Sequence, residues 1–309
     1  MNLGSVRAIG FDMDYTLAAY LPAFDLLAFD GAREKLVRTM GYPRKVLEFG
    51  YDPERWARGL IVDTARGNFI KVDKHKYVRV ARHGHSSIPG DVRKMLYSRF
   101  ENQVDSFSGS SYVNVDTLFQ LVDASLYASL VRLKDGGGSD FLDGKTYEEM
   151  YADVRECVDL CHRDGAIKDF VKADPGKYVV ADEGLRPMLE AFRAGGVKTF
   201  LLTNSLWDYT AAVMDFLCGQ GWESLFDVVI AGSCKPAFLL DTRRDLFRID
   251  AGGRLENCDG VYEIAALEPG GAGKFLAKGK VFQGGNYLHL NALLQMEAGE
   301  EILYVGDHL

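Results

Sequence analysis

The stretch VRAIGFDMD, residues 6–14, runs a short apolar segment, Val6 to Phe11, directly into two carboxylates, Asp12 and Asp14. A buried strand that delivers polar residues to the edge of a sheet reads this way. Three later segments share the design: Val197 to Leu202 before Thr-Asn-Ser, Phe226 to Ile230 before Ala-Gly-Ser-Cys-Lys-Pro, and Ile302 to Val305 before Gly-Asp-His. Helical patterns lie between them, among them Leu185 to Ala194 and Tyr209 to Leu217. Strands alternating with helices predict an α/β fold built on a doubly wound parallel sheet. Ligands of such sheets bind beyond the carboxyl ends of the strands, so the four polar clusters are expected on one edge.

About 170 residues separate the first polar cluster from the second strand, far more than a crossover needs. A large, mainly helical cap is therefore expected over residues 25–180, with the catalytic core formed by 1–24 and 181–309. The insertion begins GLIVDTARGNFIKVDKHKYVRVARHG, whose alternation and turn signals at Gly67-Asn68 and His75 suggest hairpins. From Gly90 the pattern is mostly helical, broken by Gly136 to Gly138.

Composition narrows the class. Hydrophobic residues make up 47% and charged residues 26% of 309, which is globular rather than disordered. The net charge of -8 gives no general attraction to nucleic acid or to an anionic membrane, so an anionic substrate needs a local site. Five cysteines without paired spacing point to reduced thiols in a cytoplasmic protein. No run approaches the roughly 18 apolar residues of a membrane span.

The strand ends supply the parts of phosphoryl chemistry, which needs a nucleophile, a cation, donors for the phosphoryl oxygens and a proton donor for the leaving group. Asp12 is the expected nucleophile and Asp14 the acid, then base. Thr203 and Asn204 offer donors to the transferring oxygens, and Lys235 a fixed positive charge. Asp12, Asp14 and Asp307 are the expected metal ligands, and carboxylates with waters suit octahedral Mg²⁺.

FDMDYTLAAY, LLTNS, the Lys-Pro of SCKPAFL and ILYVGDH resemble the four motifs of the haloacid dehalogenase superfamily. The fuller strings, with GNFIKVD and QGGN, resemble the IMP/GMP-preferring cytosolic 5′-nucleotidases and their bacterial relatives. The resemblance implies Mg²⁺-dependent hydrolysis of purine nucleoside 5′-monophosphates through an aspartyl-phosphate, with phosphate transfer to another nucleoside as a possible outcome. It also implies substrate roles in the cap: Arg155 and Asp159 reading the 6-oxopurine edge, Phe119 and His162 flanking the base, and Lys168 reaching the phosphate. Spacing puts Arg155, Asp159 and His162 on one helical face, which by itself fits a solvated face with an i, i+4 ion pair better; the resemblance reverses that preference. The expected partner is thus a small-molecule purine nucleotide, without nucleic acid or membrane; a homo-oligomer stays open. A phosphatase of another small ester, a phosphoacceptor module and a non-catalytic scaffold remain the alternatives.

Other features read as structure. Cys157 and Cys161 beside His162 fit buried thiols better than a metal cluster, and His83 and His85 fit a solvent-exposed loop. Phe24, Phe29, Trp56 and Trp222 fit packing. The GGAGK of residues 270–274 lacks the full spacing of a phosphate-binding loop. Cys234 stands where the family pattern places Arg before the motif Lys. The chain stops at Leu309, where the pattern continues to another acidic residue, so a C-terminally incomplete chain with lower stability and weaker metal binding is expected.

Overall fold

The structure is a computed structural model that describes residues 3–97, 107, 109–137, 139–250, 252–258, 271–296 and 301–307. Its strands are β1 (Val6–Phe11), β2 (Leu60–Asp63), β3 (Asn68–Val72), β4 (Val78–His83), β5 (Ser86–Ser87), β6 (Tyr112–Val115), β7 (Lys198–Leu202), β8 (Val228–Ala231), β9 (Leu246–Ile249), β10 (Leu255–Asn257), β11 (Val281–Gly284) and β12 (Glu301–Val305). The longer helices are α1 (Pro22–Arg38), α2 (Gln120–Asp135), α3 (Tyr147–Arg163), α4 (Leu185–Ala194), α5 (Trp207–Cys218) and α6 (Tyr287–Leu294). Two compact units result: Met1–Leu21 with Val171–Asp307, and Pro22–Phe170.

The first unit is a mixed α/β structure on a seven-stranded sheet ordered β10-β9-β11-β8-β7-β1-β12. The four strands singled out by sequence are consecutive, β8-β7-β1-β12, and mutually parallel, so their carboxyl ends share one edge. β1 is buried at every position but Arg7, the pattern of a strand covered on both faces. Ala8, Phe200, Leu202, Val228, Ile230 and Phe282 pack with Leu290, Leu293 and Leu294 of α6. Gly10 pairs in register with Phe200 on one side and Tyr304 on the other, and those two rings stack at 6.3 Å. A Cβ at Gly10 would lie 2.0 Å from Phe200 Cζ, so glycine is what lets the ring lie over β1. The antiparallel ribbon β9–β10 was not foreseen from sequence.

Val180 N–H donates to Ala19 O at 2.8 Å and Leu21 N–H to Tyr178 O at 2.7 Å, so the segment after Phe170 belongs to the first unit. Two extended linkers pairing with each other leave no periodicity to read.

The second unit carries an antiparallel sheet, β5-β4-β3-β2-β6, beside its helices. The β2–β3 turn places Gly67 at φ 68°, and Asp73 Oδ1 accepts the N–H groups of His75 and Tyr77 to cap the β3–β4 turn. His83 and His85 do not form a solvated loop. His83 ends β4, its Nδ1 2.8 Å from Asn68 Oδ1 and its Nε2 2.7 Å from Asp135, while His85 Nε2 lies 3.1 Å from Ser129 Oγ. Gly84, at φ 51°, turns the chain tightly over Ala128 and Val131, and both histidines are half-buried. Cys157 and Cys161 are fully buried on α3, and burial pushes their thiols up to about 12 and about 11. Cys161 fits under α1 because Gly31 leaves room: a Cβ there would be 2.9 Å from its Sγ. Phe24, Phe29 and Trp56 are buried in this unit and Trp222 in the first. Gly138 and Gly270 lie outside the described residues.

Candidate functional site

The edge of the first unit is built from four adjacent strand ends. Leaving β1, the chain turns at once: the N–H groups of Leu17 and Ala18 return to Met13 O, with Tyr15 at φ 53°. This turn holds Asp12 and Asp14 at the edge. Asp12 N–H donates to Val305 O at 2.9 Å, and Met13 N–H donates to Asp12 Oδ1 at 2.8 Å. The other oxygen, Oδ2, faces Lys235 Nζ at 2.7 Å. Burial pushes the Asp12 carboxyl above the ordinary carboxylate range; Lys235 pulls the other way and Asp14 adds to the rise.

Lys235 is fixed from three sides. Its Nζ donates to Leu202 O at 2.9 Å and to Tyr304 Oη at 2.5 Å, and lies 5.1 Å from the Tyr304 ring centre. Tyr304 Oη itself donates to Leu202 O at 3.0 Å. Its phenol is held well above the usual range by burial, then by the charges of Asp12 and Asp307.

Asp14 accepts a hydroxyl on each oxygen: Tyr20 Oη at 2.5 Å on Oδ1 and Ser205 Oγ at 2.8 Å on Oδ2. Tyr209 Oη lies 2.9 Å from Tyr20 Oη and completes a relay of hydroxyls. Burial, then Asp14, raises the Tyr20 phenol far above its ordinary value, so it stays a donor.

Thr203 and Asn204 tie the neighbouring loops together. Thr203 is fully buried and its Oγ1 accepts Ser205 N–H at 3.1 Å. Asn204 Oδ1 accepts Lys235 N–H at 2.6 Å and Ser233 Oγ at 2.9 Å, while its Nδ2 donates to Lys235 O. With Ser233 N–H on Thr203 O and Gly232 N–H on Ser205 O, these contacts zip the loops after β7 and β8 together. A buried hydroxyl and an engaged amide organise the loops, and Ser205, not Asn204, reaches the carboxylate. Tyr20, Ser205 and Tyr304 were missed as site residues although all lie within the motif strings; their hydroxyls carried the signal.

The second unit holds its own constellation. Phe119 and Asp123 stand one turn apart at the start of α2; Arg155, Asp159 and His162 follow on one face of α3. The Phe119 and His162 rings meet edge to face at 5.4 Å, and Phe24 packs against Phe119 at 6.0 Å. Arg155 Nη1 donates to Asp123 Oδ2 at 2.5 Å and Nη2 to Asp159 Oδ1. Burial alone would lower the guanidinium pKa, but the two carboxylates raise it. Lys168 opens a short helix, Lys168–Ala173.

The sequence profile of the 5′ nucleotidase family matches residues 1–309. The chain belongs to that family. It is 30% identical over its full length to 5′-nucleotidase domain-containing protein 2 of Rattus norvegicus, covering 54% of that protein. The protein of the same description from Homo sapiens is 29% identical, with 58% of its length covered. The chain thus spans little more than half the length of these relatives. Among the described residues of this family member, no group of three or more His, Cys, Asp or Glu side chains is drawn together as for a metal ion. The donor set still fits one: Asp12, Asp14 and Asp307 offer only hard carboxylate oxygens, and Asp12 and Asp307 both bear on one phenol, Tyr304. No helix among the described residues is long and apolar enough to cross a membrane.

Proposed function

We propose that the chain is a phosphoric monoester hydrolase of haloacid dehalogenase type, acting on purine nucleoside 5′-monophosphates with a 6-oxopurine base. The observation that carries this reading is the pair of carboxylates one residue apart, one neutralised by Lys235 at 2.7 Å and the other holding hydroxyls on both oxygens. Asp12, with Lys235 beside it, is the group suited to attack phosphorus. Asp14 hands a proton to the leaving oxygen and takes one from the hydrolytic water, and Tyr20 and Ser205 keep its carboxyl in register. Asp12, Asp14 and Asp307 would hold Mg²⁺, which when bound offsets the negative charge of the phosphoryl oxygens. Lys235 supplies positive charge from the chain itself, and the zipped loops fix where it stands.

In the inserted unit, Arg155 donates to O6 and Asp159 accepts from N1–H of hypoxanthine or guanine. Phe119 and His162 flank the base, and Lys168 meets the phosphate. Adenine reverses the donor and acceptor at that edge and leaves both groups unmatched. A cytoplasmic setting belongs to the same proposal, supported by the buried, reduced Cys157, Cys161 and Cys218.

The test is phosphate release from IMP, GMP, AMP and phenyl phosphate with and without Mg²⁺. Turnover of IMP and GMP well above AMP, dependent on Mg²⁺ and absent in Asp12→Asn, supports the proposal. Equal rates on all four esters would remove the purine part. Release unaffected by Asp12→Asn would remove the mechanism.

A further inference from the structure

Asp123 lies on α2 among Leu121, Val122, Ala124 and Leu126, all buried, and is itself 1% exposed. A carboxylate there is costly, because desolvation opposes its charge and pushes its pKa up against the pull of Arg155. Its Oδ1 finds no hydrogen-bond partner among the described residues, and all its pairing goes through Oδ2 to Arg155 Nη1. A leucine or methionine at this position would pack at less cost. The location is therefore best explained by what the carboxylate does to the guanidinium.

Arg155 can meet one carboxylate with both Nη groups, the bidentate arrangement its planar fork favours. Here the fork is divided: Asp123 takes Nη1 and Asp159 takes Nη2. Among the described residues, Asp159, with its side chain 44% exposed, is engaged through Oδ1 alone. Without Asp123, Asp159 would be the carboxylate left within reach of both Nη groups. It would close onto the fork with both oxygens and lose the acceptor that an N1–H needs.

We propose that Asp123 is a positioning residue that divides the Arg155 guanidinium between two carboxylates, keeps one oxygen of Asp159 open, and thereby sets selectivity for 6-oxopurine nucleotides. This rests on the purine reading of the Phe119, Arg155, Asp159 and His162 face. It adds a residue that touches no substrate.

The experiment compares the full chain with Asp123→Asn and Asp123→Glu in Mg²⁺, using IMP, AMP and phenyl phosphate, with a thermal melt of each. Asparagine keeps the shape and removes the charge, so KM for IMP rises about tenfold, the scale of one charge-assisted hydrogen bond. kcat and the phenyl phosphate rate stay unchanged, the IMP-to-AMP preference shrinks by the same factor, and glutamate restores part of it. A selective wild type with an equally selective Asp123→Asn overturns the assignment of Asp123 alone. Parallel loss on phenyl phosphate, or a collapsed melt in both variants, overturns it in favour of a structural role. A wild type indifferent to the base overturns the purine reading and takes the selectivity role of Asp123 with it.

Discussion

Gly10→Ala tests whether packing in the sheet controls the charge at its edge. An added Cβ would sit 2.0, 2.1 and 2.7 Å from Cζ, Cε2 and Cε1 of Phe200, against ordinary contacts of about 3.5–4.0 Å. The ring must shift by about 1.5 Å, the difference between those distances. Phe200 is 1% exposed, so the shift has to be absorbed within a close-packed interior. Overpacking of this kind costs about 1–3 kcal/mol, from which alanine recovers roughly 0.5–1 kcal/mol through its smaller backbone entropy loss. The net expectation is a loss of about 1–2 kcal/mol. The ring stacks on Tyr304, whose hydroxyl receives Lys235, so the same shift unseats the ammonium from Asp12 and lowers phosphate release. Native-state hydrogen exchange of β1 and β7 amides is the suitable assay, because it reads the first unit separately in a chain with two compact units. Phe200→Leu should relieve the clash, giving a coupling of about 1 kcal/mol with Gly10→Ala in a double-mutant cycle. Exchange protection unchanged by Gly10→Ala, or strict additivity in the cycle, would refute the argument.

Tyr304→Phe keeps the stacked ring and removes the hydroxyl contacts to Lys235 and Leu202; phosphate release should fall about tenfold, with the melting temperature lowered by only a few degrees. Tyr20→Phe leaves Asp14 with Ser205 as its hydroxyl donor and should lower kcat with little change in KM, measured by steady-state phosphate release. His85 is pushed down to about 4 by burial and the charges of Arg55, Arg132 and Arg82. The unfolded chain therefore binds this proton first: stability is unaffected above about pH 6.5, falls as pH drops toward about 4, and levels off below. His85→Gln should flatten that part of the pH–stability curve, and an unchanged slope would count against a buried neutral imidazole.

What could be read from sequence was local. An apolar run ending in Asp-Met-Asp announces both a buried strand and what it carries, so the parallel strands β1, β7, β8 and β12 and the edge they share were legible. Partners far apart in the chain were not. Lys235 and Tyr304 are 69 residues apart and Asp14 and Ser205 are 191, and no periodicity links them. The amide of Asn204 is visible in the motif, whereas its contacts with Lys235 N–H and Ser233 are not. Asp123 is buried on α2 and meets Arg155 of α3, 32 residues further on, a pairing that no local pattern announces. In both units, then, a charged side chain is held by a partner far from it in the chain: Lys235 by Tyr304, Arg155 by Asp123. Motifs expose the groups themselves. Which of them pair becomes readable only once tertiary contacts are known, because the partners lie far apart in the chain.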